Sequence, residues 1–356
     1  MSSGVRRLAG AATSIAVFIG HIEAEPPRRI RSWKEFSEGT GGSGSTAVSP
    51  YLADALHGWF ANGGGACWIA GTGEGGPIEG YQAALEELDA EVAIVVTPDL
   101  WEAEGDGAVI AKMVARHCAD ARTRMALLHT AEEAEPAEVP ALLGLDEEEA
   151  QFTAVYYPWL KVSGVDGGEE KVVPPSGHVA GVWAQSDATR GVHKAPANTD
   201  VRGALSLQHN LTDAEQDPLS EAGVNSLRSF PDRGLFVWGA RTLAPEGDWK
   251  YLNVRRLANF LRASIADGTR WTVFEPNDEK LKAAVKASVT SFLKDQWRQG
   301  ALVGKTPSEA FCVVCDESNN PGGGAAAGTL VIDVYFAAIR PAEFLHMQIT
   351  QQLADQ

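Results

Sequence analysis

Apolar and polar positions alternate from Thr13 to Gly20, which predicts a strand, followed by a loop holding Pro26-Pro27. Ser32 to Phe36 begins a short helix, and Gly39 to Ser45 is a flexible Gly/Ser tract. Tyr51, Leu52, Ala55, Leu56, Trp59 and Phe60 then recur at helical spacing until Asn62-Gly63-Gly64-Gly65 stops them. Strands at Cys67–Ala70, Val92–Val96, Met125–His129 and Phe152–Tyr157 alternate with helices at Tyr81–Leu88 and Val109–Cys118. That order is the pattern of a layered α/β domain. Val179–Arg190 is helical, with Asp187 and Arg190 three apart and expected to form a local ion pair. Gly164 to Glu170 is a polar, glycine-containing stretch where a boundary or exposed loop is tolerated.

The last third has a different rhythm. Leu257, Phe260, Leu261 and Ile265 share a helical face that Asp267-Gly268 closes. Trp271 to Phe274 is a short β-prone run. Leu281, Val285, Val289 and Phe292 then form the buried stripe of a helix from about 278 to 298, roughly 30 Å long. Lys280, Lys294 and Arg298 fall on its opposite face. Phe311–Cys315 and Leu330–Phe336 flank the turn-rich Asn319 to Gly324, which predicts a hairpin. A final strand, Phe344 to Ile349, runs nearly to the terminus without an obvious partner. An unpaired edge is a liability in a solitary protein and a connector in a polymer.

A chain of 356 residues is long enough for two cores, and 44% hydrophobic content lies in the globular range. No run of about 18 apolar residues exists, so no membrane span is expected. Arg6-Arg7 ahead of Leu8 to Ile19 has a superficial likeness to a signal peptide, but Gly10, Thr13 and Ser14 break the apolar run. The formal charge of −17 is uneven: residues 1–170 carry 11 Lys+Arg against 27 Asp+Glu, net −16. Residues 252–300 carry 9 against 5, net +4. The acidic excess argues against a nucleic-acid partner, which requires surplus cations, and suits a solvent-facing layer kept apart by like charge.

The candidate chemistry is thin. Gly71-x-Gly73-x-x-Gly76 sits between a strand and a helix, as a dinucleotide loop would, but Pro77 and Ile78 delay the expected helix to about Glu79. Gly300 to Thr306 resembles a phosphate loop, yet it is one residue short, follows a helix and meets Pro307. Cys312-x-x-Cys315 is expected to be a pair of buried strand thiols on opposite faces rather than a redox or zinc site. The eight histidines show no paired metal spacing, and no G-x-S-x-G elbow is present. No catalytic, metal or cofactor residue is assigned, and no cofactor is expected.

Several blocks together resemble one family. They are Arg190-Gly191-Val192-His193-Lys194-Ala195-Pro196-Ala197-Asn198, Trp238 to Leu243, Trp249-Lys250-Tyr251-Leu252-Asn253-Val254-Arg255-Arg256, Phe274-Glu275-Pro276-Asn277 and Pro341-Ala342-Glu343-Phe344. In that order they are similar to the contractile tail sheath proteins of bacteriophages, tailocins and extracellular injection systems. The likeness implies a two-domain α/β (α+β) fold, with residues 1–15 an N-terminal arm of an inner domain, 16–245 an outer domain and 246–356 the inner domain. It implies a mixed inner sheet completed by neighbouring subunits, with Phe344, Leu345, Met347 and Ile349 as the C-terminal connecting strand. Thr13, Ile15, Val17 and Ile19 would be the N-terminal strand, and Lys280, Lys294 and Arg298 would face an inner tube. Implied partners are copies of itself in stacked hexameric rings, the tube protein, the baseplate and a terminator or cap. Neither nucleic acid nor membrane insertion is implied. Assembly in the cytoplasm and use as a tail or released particle follow from the same likeness. Members begin with an extra strand ahead of the Ser-Gly matching Ser3-Gly4, and this chain is expected to lack it. Alternative readings are a soluble nucleotide-binding enzyme using Gly71–Gly76 and a non-contracting coat or adaptor on the same fold.

Overall fold

The computed structural model describes residues 6–341, apart from 23–25, 40–48, 74–75, 103–104, 136–137, 139–140, 142, 166–167, 274, 277 and 321–328. Its main sheet has nine strands among the described residues: β1 (Ala16–Gly20), β2 (Arg28–Ile30), β3 (Cys67–Gly71), β4 (Ile94–Val96), β5 (Met125–His129), β6 (Thr153–Tyr157), β9 (Thr199–Asp200), β11 (Val224–Phe230) and β12 (Gly234–Val237). They lie in the order β2-β3-β1-β4-β5-β6-β11-β12-β9. The six from β3 to β11 are parallel. Antiparallel strands edge them: β2 on one side, β12 and β9 on the other. A small sheet of β7 (Leu160–Ser163), β8 (Glu170–Val173) and β10 (Ser206–Leu207) sits beside it.

The predicted N-terminal strand is shorter than its pattern suggests. β1 begins at Ala16, so Val17 and Ile19 lie in it while Thr13 and Ile15 precede it. All five of its residues are buried, because a strand hydrogen-bonded on both sides and covered on both faces has no solvent side for alternation to report. Helix α2 (Leu52–Ala61) packs closely on α6 (Ser176–Arg190), while α3 (Pro77–Glu86) packs on α4 (Gly107–Ala121) and β3, and α4 on β5. Gly177 makes the α2–α6 approach possible, since a Cβ there would lie 2.4 Å from the Ala55 Cα.

A second core lies away from this sheet. It joins Leu257 and Leu261 of α8 (Leu252–Gly268), Leu281, Val285, Val289 and Phe292 of α9 (Glu279–Arg298), and Phe311 and Val313 of β13 (Phe311–Val314). β13 pairs antiparallel with β14 (Asp333–Phe336), the hairpin expected from the sequence. Leu8 is buried in this core, and Arg6 and Ala11 donate backbone N–H bonds to Ser288 Oγ (3.0 Å) and Ser264 Oγ (2.9 Å).

Three local expectations are corrected. Arg270–Thr272 is a 3-10 turn rather than part of a strand, continuing the C-terminus of α8 through Thr272 N to Thr269 O. Helix α3 starts at Pro77, directly after Gly76, because proline suits the first helical turn. Cys312 is exposed while Cys315 is buried; the pair does face opposite ways, but only one thiol reaches the core.

Candidate functional site

The hub of the molecule is helix α8, whose first two turns carry Asn253, Arg255, Arg256 and Asn259, all buried. The helix spans both cores: Leu252 packs with the first, Leu257 and Leu261 with the second. Polar side chains on its buried faces therefore need partners within the protein, and they find them in distant parts of the chain. Asn253 Nδ2 donates to the carbonyls of His193 and Ile339, both at 2.9 Å. Asn259 Nδ2 donates to the Arg124 carbonyl at 3.1 Å.

Arg256 makes the strongest of these links. It donates to Asp187 Oδ1 at 2.9 Å and Oδ2 at 2.6 Å, with both side chains almost fully buried. It also donates to the Thr13 carbonyl at 3.2 Å and stacks over Trp183 at 4.6 Å. The expected Asp187–Arg190 pair is thereby replaced: Arg190 is exposed and Asp187 is taken by an arginine 69 positions away. A single guanidinium thus joins the N-terminal segment, α6 and α8, and a two-pronged bond fixes its orientation.

Beside Asn253 lies a cleft of about 680 Å³ whose wall includes Arg190, Lys194, Arg241, Arg340 and Pro341. It marks where the chain leaves the described structure, and Arg340 is held there by Asp248 at 2.5 Å. Phe344, Leu345, Met347 and Ile349 lie outside the described residues. Lys280, Lys294 and Arg298 are exposed on α9, opposite its buried stripe.

The crevice at the strand C-termini between β1 and β4, where a doubly wound sheet would take a ligand, is occupied by the protein itself. Asp99, buried there, accepts from Ser49 Oγ (2.5 Å), His21 N (2.9 Å) and Tyr51 N (3.2 Å). Burial pushes its carboxyl above the usual carboxylate range against the pull of those bonds. Asp99 clamps the start of α2 to the ends of two strands. Among the described residues no group of three or more His, Cys, Asp or Glu side chains could hold a metal ion, and no helix is long and apolar enough to cross a membrane.

Two family models match in tandem: the phage tail sheath protein central domain over residues 78–243 and the phage tail sheath C-terminal domain over residues 245–352. The chain belongs to the phage tail sheath family. The tail sheath protein of Vibrio phage KVP40 is 28% identical over 187 residues, 51% of this chain but 27% of that protein. The chain likewise spans less than half the length of the other curated tail sheath proteins it matches. Among solved structures, the sheath complex of the extracellular contractile injection system PVC in its contracted state is 29% identical with a TM-score of 0.82, covering 98% of this chain and 95% of that one. The helical sheath of the anti-feeding prophage in its contracted state is 28% identical with a TM-score of 0.79, covering 99% and 97%. Sequence reasoning used the start of α8 in its resemblance to the family and read its apolar face, but gave Asn253, Arg256 and Asn259 no structural role. The one signal available was polar residues recurring at positions 253, 256 and 259 on a helix whose neighbours are apolar.

Proposed function

We propose that this chain is the structural subunit of a helical contractile sheath that surrounds an inner tube and drives it through a target envelope. The near end-to-end structural match to sheath subunits carries this reading. A protein whose interior links run among its own distant segments, with the strand-end crevice closed by Asp99, suits a mechanical rather than a catalytic role. Residues 1–15 with 246–356 would form the inner domain and 16–245 the outer. The packing of Leu8 against α8 and α9 supports that division.

The strand Phe344 to Ile349 would leave from Pro341 and add to a neighbour's sheet. Main-chain ladder bonds would tie copies together while allowing rotation. Lys280, Lys294 and Arg298 would face the tube. The baseplate and a terminator or cap would close the ends, with assembly in the cytoplasm before use in a tail or released particle. Contraction is then a collective lattice change in which modest gains per copy add over many identical copies.

Negative-stain microscopy of the expressed chain tests the reading: striated tubes are expected, whereas discrete particles with saturable nucleotide binding would overturn it. Deleting Glu343 to Gln356 is expected to leave soluble protein that no longer polymerises. Unchanged tubes from that variant would refute the role given to the final strand.

A further inference from the structure

A recess of about 560 Å³ opens between α5 (Glu147–Gln151) and the outer side of α8. Arg255 forms its floor, 9% exposed, with its guanidinium 4.0 Å from the Trp249 ring and 4.5 Å from that of Phe152. Its Nε donates to Asn259 Oδ1 at 3.1 Å, and no carboxylate pairs with it among the described residues. Arg262, two turns further along the helix, lines the same recess, is exposed and makes no ion pair among the described residues. Arg122 on the facing wall is neutralised by Glu148 at 2.8 Å, which leaves Glu147 as the other carboxylate lining the recess.

An arginine kept from water without a counter-charge is costly, and the aromatic faces of Trp249 and Phe152 offset only part of that cost. Burial first, and then Arg122 and Arg262, push the Arg255 guanidinium down to about 10. The arrangement is a fork of cations with aromatic walls and an open mouth, which is the chemistry that takes a carboxylate in two-pronged fashion.

We propose that this recess receives an Asp or Glu side chain from a second copy of this chain in the polymer. The charge distribution identifies the donor: residues 1–170 carry 27 Asp+Glu against 11 Lys+Arg, so a neighbour offers carboxylates in quantity. The inference rests on the sheath reading and adds a specific contact to it, one between folded bodies and separate from the terminal strand.

The test co-assembles ¹⁴N- and ¹⁵N-labelled copies carrying Arg262→Lys, treats the polymer with a carbodiimide and maps the cross-links by mass spectrometry. The expected product joins the position-262 peptide of one isotope to an Asp- or Glu-bearing peptide from residues 1–170 of the other. Cross-links confined to one isotope, to Glu147 or Glu148, or no cross-link at position 262, would overturn the proposal. As a second measurement, Arg262→Glu is expected to raise the critical concentration for polymerisation at least tenfold without moving the thermal midpoint of the unpolymerised chain. An unchanged critical concentration overturns the inference. So does saturable binding of inorganic phosphate to the unpolymerised chain without any inter-copy link, which would make the recess a site for a free anion. A wild-type chain that forms no polymer sinks the sheath reading itself, whereas a normal polymer with an indifferent Arg262→Glu sinks this contact alone.

Discussion

At the scale of single residues, the Arg256–Asp187 bond is the most consequential contact, because both partners are sealed from water. Removing one member of such a pair leaves a buried charge unpaired and typically costs about 3–5 kcal/mol. Arg256→Met keeps the apolar stem and should lower the denaturant midpoint of the unpolymerised chain accordingly; a midpoint matching wild type would show the pair to be dispensable. A second residue-scale effect comes from imidazoles. Burial pushes His129 down to about 3, and burial together with His57 pushes His178 to about 4. Their folded values lie below the unfolded value of about 6.5, so the unfolded chain binds more protons in between. The stability is complete above that pH and is lost as pH falls through it, on the order of 3 kcal/mol per histidine by pH 4. Unfolding curves from pH 8 to pH 4 should show this decline, and His129→Leu should flatten it; equal slopes would count against the assignment. The sequence revealed little at this scale. Asp187 has Arg190 at helical spacing, and nothing local shows that a distant helix supplies a better partner.

At the scale of elements, the α2–α6 crossing is set by small residues. A Cβ on Gly58 would meet His178 Nδ1 at 2.3 Å, and one on Gly181 would meet the Trp59 carbonyl at 2.6 Å. Alanine in a helix gains roughly 0.5–1 kcal/mol over glycine, but overpacking against backbone costs about 1–3 kcal/mol or more. Because the obstacle at Gly181 is a main-chain atom, overpacking wins. Gly181→Ala should therefore destabilise, while Gly65→Ala, with open space around it, should be neutral within about 0.5 kcal/mol. Equal behaviour of the two variants in thermal unfolding would refute the close-packing argument. Much at this scale could be read from the sequence. α2 and α9 announce themselves by period and by the glycines that follow them, α4 and β5 by their apolar pattern, and the β13–β14 hairpin by its turn residues. The two-residue strands β9 and β10 have no period to read. The run at Trp271 has strand-like residues, but the end of α8 draws it into a turn.

At the scale of the whole molecule, residues 6–13 belong to the second core although they are adjacent in sequence to the first. Deleting residues 1–13 should speed hydrogen exchange in α9 and β13 while leaving β5 protected, since among the described residues the two cores meet chiefly through α8, its links and Val192. Uniform loss of protection would mean that the molecule unfolds as one unit. Composition foreshadowed this organisation only through its charge asymmetry. That residues 6–11 close the far core depends on long-range packing, which periodicity does not encode.

That closure has a consequence for how the molecule is made. Arg6 is separated from Ser288 by 282 positions, and at roughly 5–20 residues per second the opening segment emerges from the ribosome tens of seconds before its slot exists. The parallel sheet can settle early, whereas the second core stays open until the β13–β14 hairpin at Asp333–Phe336 has been made. A copy interrupted before Phe311 therefore carries a finished first core and an open second one, with Leu8 and the apolar stripes of α8 and α9 left uncovered.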